Sequence, residues 1–292
     1  MKKDNQEVIK CSLCGRDEAY FFSRKNDYDL YRCKVCKLLF VYPIPKNVEV
    51  YDKTYFTGAD LGFGYVDYDA DKIPMIPVFE KYLDMIFKLG ATKGTLLDVG
   101  SATGFFMDIA KKRGFEVVGV ELSNYAAEIG RAKGLTIVAS DLKGAHFNND
   151  KFDVITMFDV LEHVPNPKDF LLEAKRILKP GGFLVINTPN GDSVVARVLG
   201  SRWHLIVPPE HLYYFSPKNV GDYLTKNGFN VKVATSIGKR FTLQYIFKTL
   251  YRWQKFPLWD YIEKIFAAKP LTKLYIPLNT HDNFFLIAEK NK

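Results

Sequence analysis

The 292-residue chain has no apolar run near the ~20 residues needed to cross a bilayer; a typical one, Phe284 to Ala288, spans five. Nor do the opening residues, MKKDNQEVIK, lead into an apolar h-region, so no secretory leader is read there and the expected location is the cytoplasm. Cysteine is scarce at four, histidine at five, and repeats and low-complexity tracts are lacking. Acidic residues are the minority charge, 33 against 41 Lys and Arg, and the resulting +8 favours anionic partners without naming one. With 47% apolar and 25% charged residues, disordered and fibrous classes are excluded. The length allows one large domain with a small one, or two modest ones.

All four cysteines fall in the first 36 residues, as Cys11-Ser-Leu-Cys14 and Cys33-Lys-Val-Cys36 with eighteen residues between the pairs. Two Cys-x-x-Cys turns at this spacing bring four thiolates together for a tetrahedral Zn²⁺. Two disulfides would contradict the cytoplasmic expectation, and a redox pair would need one such motif on a βαβ unit. Four thiolates fill the coordination sphere, so the metal is expected to fold a zinc-ribbon module over residues 1–42 without doing chemistry.

Residues 43–92 read as a connector rich in aromatics and prolines, with Tyr55, Phe56, Tyr65 and Tyr68 around Gly58, Gly62 and Gly64. Within it, Phe79, Tyr82, Leu83, Ile86 and Phe87 recur at helical spacing, predicting an amphipathic docking helix over Ile76 to Leu89. From residue 93 to 292 short apolar strands alternate with helical segments: strands at Thr95–Val99, Glu116–Val120, Thr136–Ala139, Phe152–Phe158 and Phe183–Asn187, helices at Phe105–Arg113, Tyr125–Lys133 and Pro167–Leu178. That alternation predicts an α/β fold, a parallel sheet covered on both faces, with ligands at the carboxyl ends of its strands. Lys179-Pro180-Gly181-Gly182 is expected to end one helix and turn into the next strand.

The first of these strands ends in LLDVGSATG, Leu96 to Gly104, directly before a helix. A dinucleotide fingerprint would need two further glycines where Ala102 and Phe105 stand, so the loop alone is weak. Glu121 closes the second strand, where a carboxylate can accept from a ribose diol, and Asp141-Leu142 follows the third, where an acid can accept from an adenine amino group. The fourth delivers Phe158-Asp159-Val160-Leu161-Glu162-His163. Individually Asp98 could be a helix cap and Glu121 a solvated strand end; their ordered occurrence is what matters.

In these motifs, from about Thr92 to Glu289, the chain resembles the class I S-adenosylmethionine-dependent methyltransferases. The resemblance implies a Rossmann-like seven-stranded sheet with one reversed strand, which His281 to Glu289 fits. It places Asp98, Gly100, Ala102 and Gly104 at the methionine part of the cofactor, Glu121 with Leu122 at the ribose side, and Asp141 with Leu142 at the adenine. Phe158, Asp159 and Tyr68 complete the expected cofactor set. The N-terminal zinc module looks like that of a subgroup acting on small molecules, sugar nucleotides among them.

Methyl transfer from a sulfonium is an in-line displacement governed by positioning, and a hydroxyl or carbon acceptor also has to lose a proton. His163, just past strand four, and His211, in Pro208-Pro209-Glu210-His211-Leu212-Tyr213-Tyr214, are the candidate bases, with Glu210 and Tyr214 expected to orient the acceptor. His163 has an equal claim as a structural contact, and His146 and His204 read as surface or loop residues. Asn187-Thr188-Pro189-Asn190 follows strand five and lacks a terminal aromatic, so it is a strand exit, not the base-stacking segment of nucleobase methyltransferases.

Residues 239–273 hold eight Lys or Arg, two acids and nine aromatics. They read either as helices packing aromatics inward, or as an inserted cap at about 239–278 that closes over the acceptor or rests on an anionic membrane or lipid-linked substrate. The expected activity is methyl transfer to a small-molecule acceptor, a sugar, nucleotide sugar or related metabolite, at oxygen first and carbon second. An RNA methyltransferase is the alternative enzyme, weakened by the lack of a basic run at the cysteines or a base-flipping segment. A non-catalytic binding protein with this fold is the other.

Overall fold

The structure is a computed structural model that describes residues 8–45, 68–268, 271 and 274–292. The connector aromatics Tyr55, Phe56 and Tyr65, with their glycines, lie outside the described residues. No described helix is long and apolar enough to cross a membrane.

Seven strands form the central sheet: β4 (Gly94–Val99), β5 (Phe115–Glu121), β6 (Thr136–Ala139), β7 (Phe152–Phe158), β8 (Leu178–Pro189), β10 (Phe229–Thr235) and β13 (Asn283–Lys290). Their order is β10-β13-β8-β7-β4-β5-β6, with β13 antiparallel to both neighbours and the β8-β7-β4-β5-β6 run parallel. This is the Rossmann-like seven-stranded sheet with one reversed strand that the resemblance implied. The chain leaves β4 towards β5 on one side and later returns to β7 on the other, so the order reverses between β4 and β7 and opens a crevice at their carboxyl ends.

Helices cover the sheet because their apolar residues repeat at helical spacing. The docking helix (α2, Ile76–Lys88) buries Val78, Phe79, Tyr82, Leu83 and Ile86, and the Tyr82 ring stacks on Phe285 of β13 at 4.4 Å. The five-residue α1 (Tyr68–Lys72) precedes it. Next come α3 (Phe105–Lys112), α4 (Asn124–Ala132), α5 (Pro167–Ile177), the short α6 (Val194–Leu199) and α7 (Pro217–Lys226). One expectation needs correction: Lys179-Pro180-Gly181-Gly182 does not form a turn ahead of the strand. β8 begins at Leu178, and a register irregularity between Phe152 and Val154 of β7 absorbs the extra residues, with Gly181 at φ +77°.

At the N-terminus β1 (Ala19–Lys25), β2 (Tyr28–Cys33) and β3 (Leu39–Val41) make an antiparallel sheet whose fourth strand is β9 (Tyr213–Tyr214), supplied from beyond β8. Cys11, Leu13, Cys33, Leu38 and Phe40 lie in one hydrophobic cluster with Leu97, Met157, Ile186 and Phe284 of the large sheet. The cysteine module is thus packed into the main core. Residues 239–278 form an insertion between β10 and β13: β11 (Lys239–Thr242), α8 (Leu243–Gln254), α9 (Pro257–Phe266) and β12 (Tyr275–Leu278), with β11 pairing β12.

Candidate active site

Parallel register sets the ends of three strands level, with Val99 of β4 beside Val120 of β5 and Val120 beside Val138 of β6. The loop after β4 folds over these ends because its small residues take conformations closed to larger ones. Gly100 has φ +71°, and a Cβ there would lie 2.6 Å from Cγ2 of Val160. A Cβ on Gly119 of β5 would meet Ser101 Oγ at 2.6 Å, so a glycine stands just after β4 and another within β5 where the loop crosses. Ala102 holds φ +47°, a left-handed conformation usually left to glycine. Gly104 begins α3 at φ +77°, with Leu135 filling the space that a Cβ would need.

Glu121 ties this loop to the next. Its Oε2 accepts from the Ala102 N–H and its Oε1 from the Ser123 N–H, both at 2.8 Å, and burial raises its pKa. Asp98 is also buried; it accepts from the Thr156 hydroxyl at 2.7 Å, and desolvation outweighs that bond and pushes its pKa up to about 7. Ser101 Oγ is buried and has no hydrogen-bond partner among the described residues, in a loop otherwise well satisfied. Two buried acids, an orphaned hydroxyl and a backbone cradle that a Cβ would fill suit a cationic ligand with a polar adenosyl part, so these residues fit the expected cofactor.

The other cofactor candidates are placed as follows. Asp141 is exposed and its Oδ1 accepts from the Gly144 N–H at 2.5 Å. Leu142 is only 1% exposed and packs in the main core, whereas Leu122, beside Glu121, is 62% exposed. Tyr68 packs beside Ala102 and Ala126, and its neighbour Asp69 accepts from the Thr103 hydroxyl and pairs with Lys133. Phe158 is wedged among Phe79, Tyr82 and Phe106, at 4.9 Å from the last, and Asp159 has φ +55° with its N–H donating to the Asn187 carbonyl.

Beyond Val160 the chain makes one 3-10 turn, Leu161–His163, and the loop after β8 comes back over it. The Leu212 N–H donates to the Glu162 carbonyl at 2.8 Å, and the Val41 N–H of β3 donates to the Leu212 carbonyl at 2.9 Å. His163 and His211 are brought together with ring centroids 4.9 Å apart, edge to face. His163 Nδ1–H donates to the Glu210 carbonyl at 2.7 Å and His211 Nδ1–H to the Leu205 carbonyl at 2.8 Å. Burial lowers the pKa of His163 and raises that of the Glu210 side chain. The buried Tyr214 hydroxyl donates to the His211 carbonyl at 3.0 Å, and burial raises its pKa.

Sequence reasoning did not single out Glu162. It is 1% exposed, its Oε2 accepts from the Thr188 hydroxyl at 2.7 Å, and its Oε1 lies 3.8 Å from His163 Nε2. Its position next to His163 was the available signal. His146 is exposed, and His204 sits 3.4 Å from the buried Asp282. A cavity of about 340 Å³ between α2 and the insertion, lined by Val78, Lys81, Ile237 and Arg240 among others, touches none of these site residues.

The four cysteine sulfurs lie within 4.8 Å of one another, with Cys11 to Cys36 and Cys14 to Cys33 both at 3.6 Å. A tetrahedron with Zn–S bonds of ~2.3 Å has sulfurs about 3.8 Å apart, and a disulfide would need ~2.0 Å. The donor set therefore fits Zn²⁺, and no disulfide joins the four cysteines.

Residues 75–233 match the family model described as "Methyltransferase domain". Among curated proteins, an uncharacterized protein of Methanocaldococcus jannaschii is 30% identical over 148 residues, half of this chain and 70% of that one. The ubiquinone biosynthesis O-methyltransferase of Hahella chejuensis is 28% identical over 174 residues, 56% of this chain and 72% of that one. Among solved structures, a SAM-dependent methyltransferase of Thermotoga maritima, possible histamine N-methyltransferase, aligns with a TM-score of 0.52 and 21% identity over 77% of this chain and 94% of its own. One from Archaeoglobus fulgidus aligns at 0.50 and 19% identity over 74% of this chain and 94% of its own. At these identities the structural likeness concerns the fold.

Proposed function

The chain belongs to the methyltransferase-domain family and is an S-adenosylmethionine-dependent methyltransferase, and from that premise we propose that it methylates a hydroxyl of a small molecule held at the His163–His211 pair. The observation that carries this reading is the pair itself: two imidazoles from separate loops, each with Nδ1–H anchored on a backbone carbonyl, beside the Val160 contact with the cofactor loop. Burial keeps His163 neutral near pH 7, as proton acceptance at this end of the pocket requires.

S-adenosylmethionine supplies an electrophilic methyl group on a sulfonium. Asp98, Ser101 and the Gly100–Gly104 loop hold its methionine part, Glu121 with Leu122 the ribose, and Asp141 with the chain at Leu142 the adenine; Tyr68, Phe158 and Asp159 border the pocket. The histidine pair would take the acceptor's proton as its oxygen becomes the nucleophile towards that methyl group. Glu210 and Tyr214 act through the loop, the first by its carbonyl on His163 and the second by its hydroxyl on the His211 carbonyl.

Oxygen is favoured over carbon as the methylated atom because the named curated relatives are O-methyltransferases. The acceptor is a sugar, a nucleotide sugar or a ring hydroxyl of phenol type. The four cysteines hold a structural Zn²⁺, a reading supported by sulfur separations of 3.6 Å. The insertion carries exposed Phe256, Leu258, Tyr261 and Ile265, which favour contact with a lipid surface or a lipid-linked acceptor. A screen of nucleotide sugars, quinols and phenols with methyl-labelled cofactor tests the reading by product mass. With the product in hand, His211→Ala is expected to lower turnover at least about a hundredfold with little change in cofactor affinity; unchanged turnover would remove the pair from the acceptor end.

A further inference from the structure

The loop after β4 is held from two sides. On the inner side the Ala102 N–H donates to Glu121 Oε2 at 2.8 Å, with Ala102 at φ +47°, a conformation costly for a residue with a Cβ. On the outer side two side chains converge on Thr103, which is 2% exposed. Its hydroxyl donates to Asp69 of α1, and its carbonyl accepts from Lys133 Nζ at 2.9 Å. Lys133, whose backbone N–H closes the last turn of α4, also pairs with Asp69. A Cβ on Gly130 of α4 would lie 3.2 Å from the Thr103 carbonyl oxygen, so α4 leaves the loop little room to shift that way. Three separate elements, α1, the loop and α4, thus meet on one carboxylate, one hydroxyl and one ammonium.

The helix they hold cannot hold itself. α1 is five residues long, too short to persist alone, and none of its residues is buried. Side-chain contacts keep it on the loop instead: the bonds of Asp69, and Tyr68, which packs beside Ala102 and Ala126 with Lys72 Nζ 5.1 Å from the centre of its ring. We propose that Asp69 is a positioning residue of the cofactor site. Acting through Thr103 and Lys133, it latches α1 and Tyr68 over the Gly100–Gly104 cradle and sets how long S-adenosylmethionine and its demethylated product stay bound.

This inference rests on the cofactor lying in that cradle and specifies what controls its release. With the latch closed, Ala102 is pinned at its own N–H and at the residue that follows it, so the cradle keeps its shape. Opening requires only that a charge-assisted hydrogen bond and an ion pair part, and the Asp69 and Lys133 side chains are 36% and 34% exposed. The latch therefore opens without disturbing the sheet, and salt weakens it.

The test is the rate at which labelled S-adenosylhomocysteine leaves the purified full-length protein when chased with excess unlabelled compound, with the equilibrium affinity for the same compound measured alongside. Asp69→Ala and Thr103→Val, each folded at the assay temperature, are expected to speed dissociation about tenfold or more. The double substitution should be no faster than the faster single one, because both break the same latch. Thr103→Ser, which keeps the hydroxyl, should recover most of what Thr103→Val loses, and added salt should speed dissociation from the wild type but not from Asp69→Ala. A wild-type rate in Asp69→Ala, or two single effects that multiply in the double variant, overturns the latch. Glu121→Gln separates this inference from the cofactor placement beneath it, since it is expected to weaken affinity at least about tenfold. If it does so while Asp69→Ala dissociates like the wild type, the cradle stands and the latch falls; if Glu121→Gln binds as tightly as the wild type, the cofactor lies elsewhere and both fall.

Discussion

Asp98 stands at the end of β4 with a pKa raised from 3.8 to about 7, chiefly because burial penalises its charge, with Glu121 adding to the effect. Between those values the folded protein holds a proton that the unfolded chain has released, so this group stabilises the fold fully below pH ~4 and that contribution is lost as pH rises through 7. A bound sulfonium cation works the other way, because it favours the carboxylate. Cofactor affinity is therefore expected to rise with pH by up to about tenfold per unit below 7 and to level off above it. Calorimetry at pH 5.5, 6.5 and 7.5 checks this; Asp98→Asn should flatten the profile, and a flat wild-type profile would mean that the carboxyl does not face the cationic part. Asp98 and Glu121 were legible in the sequence because each ends a buried apolar strand. Glu162 was not, because a single turn of Leu-Glu-His carries no periodicity, and only the fold brings Thr188 and His211 to it. Leu142 was expected at the adenine, but its side chain turns into the main core and leaves Leu122 as the exposed apolar group.

At the scale of elements, the seven-stranded sheet was legible because its central parallel strands, covered on both faces, are short apolar runs separated by helical ones. The β3–β9 pairing was not, since two residues of β9 find a partner some 170 positions earlier by packing alone. That pairing has a consequence for the cysteine module. Val41 donates to the Leu212 carbonyl, Asn26 Nδ2 to the Pro208 carbonyl at 2.9 Å, and Lys25 Nζ to the Trp203 carbonyl at 3.4 Å, so the module clamps the loop that carries His211. Cys14→Ser, or zinc removal by a strong chelator, is expected to loosen the clamp because metal binding and folding of such a module are coupled. Turnover should fall at least about tenfold while cofactor affinity changes less than about threefold, since no cysteine lies at the β4 loop. Equal losses of both would show that the module supports the whole sheet and not the loop in particular.

On the scale of the whole molecule, the insertion leaves and rejoins the sheet at one place, because Lys239 pairs with Leu278 and Ser236 Oγ bonds Asn279 Oδ1 at 3.0 Å. Phe247 stacks on Trp259 and Phe266 inside the α8–α9 hairpin, so the hairpin has a small aromatic core of its own. What that core does not use is exposed: Leu258, Tyr261 and Ile265 recur at helical spacing on α9, with Phe256 just ahead of it. Lys264 shares α9 with them and is engaged by Asp260 at 2.7 Å, whereas residues 239–273 overall carry eight basic against two acidic side chains. Apolar side chains amid a basic excess bind an anionic bilayer in two stages, long-range attraction weakened by salt and then apolar insertion. The protein is expected to co-sediment with vesicles containing anionic lipid at low salt, less so at 0.5 M salt, and not with neutral vesicles. The double substitution Leu258→Asp with Ile265→Asp should abolish the association and leave cofactor affinity unchanged, because neither residue lines the pocket at β4 and β5. No sedimentation at low salt would assign the hairpin to covering a soluble acceptor, and replacing 239–278 by a short turn would then lower turnover on that acceptor while the cofactor still binds.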